Sequence, residues 1–299
     1  MERELYFASP AELKKFKRKQ LFASLGLYAF LTLVAVFILI PFYWMLITAF
    51  KTNGLIELEE TTGVFYLFPP EITFVNFIRV FGAAGEVNFG RYYFNTLFVA
   101  LVTMVMTVGT TVLASFAFAR LNFKMKEPLF ALLIATMMIP GEMMVITNFQ
   151  TISILQWRVT FQALILPFGI SVFYIFFLRQ TFQQIPNELY LAAKVDGYGD
   201  FQYLWKVMIP MAMPTIVTII ILDMMGTWNA YVWPQLVTES RDMLMVSNGL
   251  MSIFQSSEFA NWNNIKLAAS VVVTTPLLIV FILFKNYIMR GVSRSGIKG

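Results

Sequence analysis

The sequence predicts an all-α membrane protein with six transmembrane helices. Hydrophobic residues make up 58% of the 299 residues and charged residues 13%, whereas an average soluble chain carries about 25% charged residues. The apolar residues are concentrated in six windows, most of them near the ~20 residues that a helix needs to cross a bilayer. Each window is continuous and lacks the alternating pattern of membrane barrel strands. The windows cover residues 21–49, 95–119, 128–147, 162–178, 209–225 and 267–288.

A charged segment, residues 1–20, precedes the first window. That window is too long for the core of a cleaved signal peptide, so we expect it to remain as a membrane anchor. Pro41 lies inside it and predicts a kink in the helix. Residues 52–91 are rich in Glu, Gly and Pro. This composition predicts an aqueous loop with a short helix near residues 75–81.

The second window contains small and hydroxyl-bearing residues, including Thr107, Thr110 and Ser115, which favour close packing of membrane helices. Pro128 then suits the first turn of the third span. Since no polar linker divides the apolar part of the chain, we expect one membrane domain over residues 21–288, followed by a tail at residues 289–299.

The distribution of positive charge predicts the orientation in the membrane. Of the 22 Lys and Arg residues, 16 lie in the N-terminal segment, in the loop after the second span, in the loop after the fourth span and in the tail. The positive-inside rule makes these segments, and both termini, cytoplasmic. The net charge of +5 therefore reflects membrane orientation. The sequence contains no basic patch with interleaved aromatic residues, the pattern that would indicate binding to nucleic acid.

The polar loop between the fourth and fifth windows, residues 185–209, carries most information about function. Pro186 suits the first turn of a helix, and Glu188 favours the positive end of that helix's dipole. Gly197 and Gly199 can adopt positive φ and end the helix, and Asp200 can cap a second one. These signals predict a cytoplasmic helix–turn–helix.

This predicted helix has an outer face with small and apolar side chains. Ala192 and Ala193 offer a surface nearly free of side chains, which lets another protein's backbone come close. Glu188, Leu191, Ala192 and Val195 follow the i, i+3, i+4, i+7 spacing and share one face. We therefore expect a docking element for a soluble partner. The alternative is an ordinary interhelical loop.

The run L-A-A-K-V-D-G at residues 191–197, followed by Ile209 and Pro210, resembles the E-A-A-x-x-D-G loop of ABC-importer permeases. In that family the loop forms coupling helices that fit a cleft on the ATP-hydrolysing subunit. The leading Glu of the family pattern is Leu191 here. The resemblance implies that the contact with the ATPase is made by Glu188, Leu191, Ala192, Ala193, Asp196 and Gly197.

Five further stretches are similar to sugar-importer permeases of the maltose-transporter type, within which the chain resembles the smaller of two permease subunits. They are residues 41–51, 72–77, 139–157, 228–234 and 290–299. The resemblance implies a type I ABC importer permease with a cytoplasmic coupling loop. It also implies that tail residues Gly296, Lys298 and Gly299 lie along the interface of the ATPase subunits.

The resemblance implies a set of partners as well. These are a second homologous permease, two ATP-binding subunits and an extracellular or periplasmic solute-binding protein, in the inner or plasma membrane of a bacterium or archaeon. ATP and Mg are then used by the partner ATPase subunits, and the chain itself holds no cofactor.

No catalytic or metal site is visible in the residues themselves. The chain has no Cys and no His, which removes the commonest general base and metal ligand. Gly291 and Gly296 have the spacing of a phosphate-binding loop, but Ile297 follows where Lys is needed. We therefore expect neither an ATP site nor enzyme activity in this chain.

Polar residues inside the spans are candidates for the solute path, because an unpaired polar group in lipid is costly. Asp223 lies deep in an apolar run, and a structural hydrogen bond is its alternative role. Trp228, Asn229, Tyr231 and Trp233 follow it, although aromatic residues also mark membrane interfaces. Further candidates lie at the outer end of the third span, at Asn148 and Gln150, near Glu142, Trp157 and a predicted helix break at Pro140–Gly141.

These features together predict the permease subunit of an ATP-driven importer, which forms the translocation path for a carbohydrate-type solute by alternating access. The alternative is a secondary transporter or channel driven by an ion gradient. It needs a charge relay within the membrane, and Asp223 lacks an evident partner for one. An intramembrane enzyme lacks the required residues, since the chain also has no G-x-S-x-G motif.

Overall fold

The computed structural model describes residues 10–82, 88–255 and 262–293, which form helices and no strand within those ranges. The expectation of an all-α protein is therefore confirmed. The α-helices are α1 (Pro10–Ala49), α2 (Asn53–Thr62), α3 (Val75–Val80), α4 (Phe89–Arg120), α5 (Lys126–Thr136), α6 (Val145–Ile154), α7 (Phe161–Ile165), α8 (Val172–Gln183), α9 (Asn187–Val195), α10 (Asp200–Tyr203), α11 (Ile209–Trp228), α12 (Val232–Val237), α13 (Val246–Gln255) and α14 (Asn263–Ser293).

Four apolar helical segments of the described chain are long enough to cross a membrane: Lys14–Ala49, Phe89–Arg120, Asp200–Trp228 and Asn263–Lys285. Two further candidates are bent pairs of helices. The first pair, α5 with Gly141–Ile154, bends by 83°, and the second, Phe161–Phe168 with α8, bends by 41°. Counting each bent pair as one span makes six spans, as the sequence predicts.

The third and fourth apolar windows are thus broken where hydropathy is continuous. The first break follows Pro140, which precedes a short 3₁₀ turn, Gly141–Met144. The second break, at residues 169–171, directly follows the 3₁₀ turn Leu166–Phe168, which contains Pro167. Proline removes one backbone donor and clashes with the preceding helical turn, so it interrupts the helix without lowering hydropathy.

Helix α4 is the central element of the fold. Its first turns contribute Phe89 and Tyr92 to an apolar cluster with α13 and α14. Val99, near its middle, packs with α6, α7 and α12. Val112 and Phe116, near its end, pack with α8, α9 and α11. Because all three buried clusters share α4, a displacement of one cluster acts on this helix.

Hydroxyl side chains of α4 bind carbonyl groups at the break between α7 and α8. Thr107 Oγ1 donates to the carbonyl oxygen of Phe168 at 3.0 Å, and Thr110 Oγ1 donates to that of Gly169 at 3.1 Å. Broken helices are tolerated in membranes where neighbouring side chains satisfy the freed backbone groups. These threonines therefore stabilise the break in addition to allowing close helix packing.

The segment between α1 and α4 is more ordered than the sequence predicts. The expected short helix is α3, but α2 precedes it: Thr52 Oγ1 accepts a hydrogen bond from the Leu55 N–H at 3.3 Å, and Gly63 ends the helix at φ +70°. Lys51 Nζ, fully buried, lies 2.6 Å from Glu59 Oε1. A buried ion pair of this kind is costly to break, which ties α2 to the end of α1.

Helix α1 packs against α14 and otherwise exposes its apolar residues, as expected of a surface that meets lipid or another membrane subunit. It continues through Pro41 and begins at Pro10. The expected boundary between an N-terminal segment and the membrane domain, at residues 20 and 21, therefore lies inside this helix.

Candidate functional site

The loop between α8 and α11 has the predicted helix–turn–helix form. Helix α9 ends where the Tyr198 N–H donates to the carbonyl oxygen of Ala193 at 2.8 Å, and Gly197 has φ +80°. Gly199 differs from the expectation, since its φ is −69° and it precedes α10 in an extended conformation. Of the two glycines, Gly197 therefore adopts positive φ and Gly199 does not.

The two arms of this loop are joined through Asp200. The expectation that Asp200 caps the second helix is wrong, because Gly199 takes the cap position and Asp200 is the first helical residue. Its carboxylate instead lies 2.6 Å from Lys194 Nζ and accepts a hydrogen bond from Tyr190 Oη at 2.7 Å. The hydrogen bond with Asp200 raises the pKa of Lys194. These contacts hold α9 and α10 as one unit.

One face of α9 is exposed. Glu188, Leu191, Ala192 and Val195 are all exposed, with Leu191 at 56% and Val195 at 88%. We call these four residues the docking surface. It is an apolar stripe with one carboxylate at its edge, as the helical spacing predicts.

Ala193 does not belong to the docking surface, which corrects the expectation that both alanines face outward. It is 6% exposed and packs in the cluster that contains Phe182 and Tyr203. Adjacent residues of a helix point about 100° apart. With Ala192 outward, Ala193 therefore faces the chain's own core. Asp196, at the end of α9, is exposed.

Two exposed aromatic residues that were not predicted as site residues, Phe201 and Trp205, lie in the second arm of the loop. They are 63% and 57% exposed, and their rings meet edge to face with centroids 6.0 Å apart. Their i, i+4 spacing was the signal that could have revealed this shared face.

The base of the loop is fastened to the membrane helices by arginine side chains. The guanidinium group of Arg120, the last residue of α4, donates to the carbonyl oxygens of Phe182 (2.9 Å) and Ile185. Arg179 of α8 donates to the carbonyl oxygen of Phe118 at 3.1 Å and lies 3.3 Å from Glu127. The joint between α8 and α9 is therefore connected directly to α4.

A cavity of about 380 Å³ lies beside the break between α7 and α8. Asp223 of α11 lines it, together with polar residues that the sequence analysis did not identify: Thr103, Ser171, Tyr174 and Thr227. Thr227 lies one helical turn from Asp223 on α11, whereas Thr103, Ser171 and Tyr174 come from distant parts of the sequence that no local pattern groups with Asp223. The apolar wall includes Phe168, Phe173 and Trp233.

Two polar atoms at this cavity are buried without a hydrogen-bond partner in the described part of the chain. They are Oδ2 of Asp223 and Oγ1 of Thr103. Since an unsatisfied buried polar group is costly, such atoms indicate a ligand or water at this position.

The described residues around the cavity do not include the other five solute-path candidates. Trp228 is buried, and its indole N–H donates to the carbonyl oxygen of Val273 at 3.2 Å. Asn229 ends α11, and its side-chain amide donates to the carbonyl oxygen of Met225 at 2.8 Å. Tyr231 is half-buried outside this cavity. Asn148 and Gln150 lie on α6.

Two further predictions from the sequence concern Glu142 and the C-terminal tail. Glu142 is exposed in the turn that follows the break at Pro140, as helix-end hydration predicts. The tail residues Gly296, Lys298 and Gly299 lie outside the described residues.

Comparison with known proteins places this architecture in a family. The profile described as binding-protein-dependent transport system inner membrane component matches residues 110–294. The arabinooligosaccharides transport system permease protein AraQ of Halalkalibacterium halodurans is 31% identical over 273 residues, covering 91% of this chain and 94% of that protein. AraQ of Bacillus subtilis is 28% identical over 275 residues, covering 92% of this chain and 96% of that protein.

A solved structure has the same fold. It is a chain of a bacterial ABC transporter involved in the import of the acidic polysaccharide alginate, with a TM-score of 0.79 and 22% identity over 94% of this chain and 99% of that chain. The fold is that of a type I ABC importer permease, a multi-pass membrane protein. The chain therefore belongs to the family of binding-protein-dependent transport system inner membrane components, the permease subunits of ABC importers, which are not enzymes.

Proposed function

We propose that this chain forms part of the translocation path of an ATP-driven importer for a carbohydrate-type solute and works by alternating access. The observation that carries the proposal is the docking surface. Its apolar side chains Leu191 and Val195 are 56% and 88% exposed, while the opposite side of α9 is packed through Ala193 against the chain's own core. An exposed apolar surface on a rigid support is what a partner subunit requires.

The named relatives support the choice of solute and partners. AraQ is described as a permease of arabinooligosaccharide transport. As a member of a binding-protein-dependent transport family, this chain is proposed to work with a solute-binding protein outside the cell, a second permease and two ATP-binding subunits that use ATP and Mg. Both termini and the docking surface are then cytoplasmic, as the distribution of Lys and Arg predicts. Gly296, Lys298 and Gly299 would lie along the ATPase interface.

The contacts of the loop provide a route from ATP hydrolysis to the cavity. Closure of the ATPase subunits displaces α9, and the Tyr190–Asp200–Lys194 contacts make α10 move with it. Arg120 passes the displacement to α4, which contributes Val99 and Thr103 to the cavity. Opening of the cavity to one side at a time then follows from movement of α4 against α8 and α11.

Substitution of Leu191 tests the proposal in the complete transporter reconstituted in proteoliposomes. Leu191→Asp places a charge in the apolar contact, so we expect at least a tenfold loss of ATP-dependent uptake, with loss of the ATPase during purification. Leu191→Met keeps the surface apolar and is the matched control, with uptake near that of the wild type.

Normal uptake by Leu191→Asp with the ATPase bound would contradict the proposed docking surface. Uptake that persists without ATP and follows an ion gradient would instead support the alternative, a secondary transporter.

A further inference from the structure

The cavity beside the break between α7 and α8 has an unusual distribution of polar groups. Oδ2 of Asp223, on α11, and Oγ1 of Thr103, on α4, are buried and without partners in the described ranges. Tyr174 of α8 and Thr227 of α11 also line the cavity. Polar groups from three separate helices therefore converge on one space of about 380 Å³, which is within the ~300–1,000 Å³ typical of small-molecule sites.

The described lining of this cavity contains one carboxyl group, that of Asp223, and no Lys or Arg side chain. The arginines Arg120 of α4 and Arg179 of α8 do not line it; Arg120 donates to the carbonyl oxygens of Phe182 and Ile185, and Arg179 pairs with Glu127. No cation of the described lining residues is thus available to bind a carboxylate or phosphate.

The chemistry of these groups discriminates between kinds of solute. An ionised carboxylate accepts hydrogen bonds, so sugar hydroxyl groups can satisfy Asp223, and the Thr103 hydroxyl can donate or accept. The aromatic wall of Phe168, Phe173 and Trp233 can cover the apolar face of a sugar ring. A solute carboxylate in the same space meets a like charge in a poorly solvated site, which is strongly unfavourable.

We infer that the solute of this permease is an uncharged polyhydroxy compound, and that Asp223 selects against solutes that carry carboxylate or phosphate groups. The inference rests on the proposed function, because it assigns the solute class of the same path. It separates this chain from its structural neighbour, whose solute, alginate, is an acidic polysaccharide.

The absence of cysteine from the chain allows a direct test of the cavity's charge. Thr227→Cys introduces a unique thiol of this chain, one helical turn from Asp223 on the cavity wall. The purified transporter is treated with a cationic or an anionic methanethiosulfonate reagent, and labelling of this chain is followed by mass spectrometry. After correction for their rates with free cysteine, we expect the cationic reagent to react at least about tenfold faster.

A matched pair of carboxylate substitutions identifies the source of this preference. Adding Asp223→Asn should bring the ratio of rates close to one, whereas adding Glu142→Gln, which removes an exposed carboxylate outside the cavity, should leave the ratio unchanged. Equal rates for both reagents in Thr227→Cys, or no labelling by either, would overturn the inference. The ratio in Thr227→Cys alone decides the matter if Asp223→Asn does not assemble.

Uptake by the complete transporter tests the solute class. Proteoliposomes receive a mixture of neutral oligosaccharides from arabinan and starch and acidic ones from polygalacturonate, and the imported compounds are identified by mass spectrometry. We expect neutral compounds only, with at least tenfold less import in Asp223→Ala. Import of an acidic oligosaccharide would overturn the inference. A transporter that imports none of these compounds with ATP contradicts the proposed function instead, while the labelling ratio still reports the charge of the cavity.

Discussion

Gly197 ends α9 with φ +80°, and apart from its two chain neighbours no described residue has a heavy atom within 4 Å of the place that a Cβ would occupy. The requirement for glycine is thus conformational, since placing any other L-residue in the left-handed region of φ/ψ space costs roughly 1–2 kcal/mol. We expect Gly197→Val to lower uptake per ATP hydrolysed by about tenfold, because the branched side chain disfavours the turn that orients the docking surface.

Gly197→Asn is the control for this change, because Asn tolerates the left-handed region better than Val does. It should retain most of the uptake per ATP. Equal loss in Gly197→Val and Gly197→Asn would show that space, and not backbone conformation, is limiting at this position.

Ala192 and Ala193 are adjacent and identical but have opposite environments, exposed and buried. Ala193→Asp buries a charge against the cluster of Phe182 and Tyr203, so we expect a loss of about 3–5 kcal/mol in stability and a low yield of folded chain. Ala192→Asp should leave the melting temperature of the chain unchanged but reduce co-purification of the ATPase. Similar melting temperatures for the two variants would contradict the orientation of α9.

At the scale of elements, Arg120 joins the end of α4 to the joint between α8 and α9. Hydrogen bonds from charged donors contribute about 1.5–3 kcal/mol each. We therefore expect Arg120→Ala to lower the melting temperature and to reduce uptake per ATP severalfold while the ATPase stays bound. Arg120→Lys should recover only part of this loss. Its ammonium group keeps the positive charge but lacks the planar fork that reaches two carbonyl groups.

Lys124→Ala serves as the control for general loss of positive charge at this end of the molecule, since Lys124 is exposed. It should transport normally. If Arg120→Ala transports normally as well, coupling between α9 and α4 does not pass through this side chain.

At the scale of the whole molecule, the proposed function gives this chain a solute path and a docking surface, whereas its sequence carries no phosphate-binding loop. We expect the purified chain alone to hydrolyse no ATP above a buffer control. Hydrolysis should appear when the ATP-binding subunits and the second permease are added. The measurement is phosphate release, and sustained hydrolysis by the chain alone would contradict this division of labour.

The sequence by itself determined the properties that depend on neighbouring residues. Helical class, the number of apolar windows and the face shared by Leu191 and Val195 all follow from local hydropathy and the 3.6-residue helical period. The positive φ at Gly197 follows from the glycine in a turn after a helix. These features were accessible because each depends on residues a few positions apart.

Only the tertiary structure decided which residues meet across the fold. Helical spacing groups Ala192 with Leu191 and Val195, but only the packing of α9 on Tyr203 shows that Ala193 faces the core. Pro140–Gly141 predicted the break in the third window, but hydropathy stayed high through the break after Phe168, so the sequence did not reveal the break in the fourth window. Thr103 and Tyr174 reach the cavity with Asp223 because α4, α8 and α11 pack around one break, and the distance in sequence between these helices leaves no local signal of that contact.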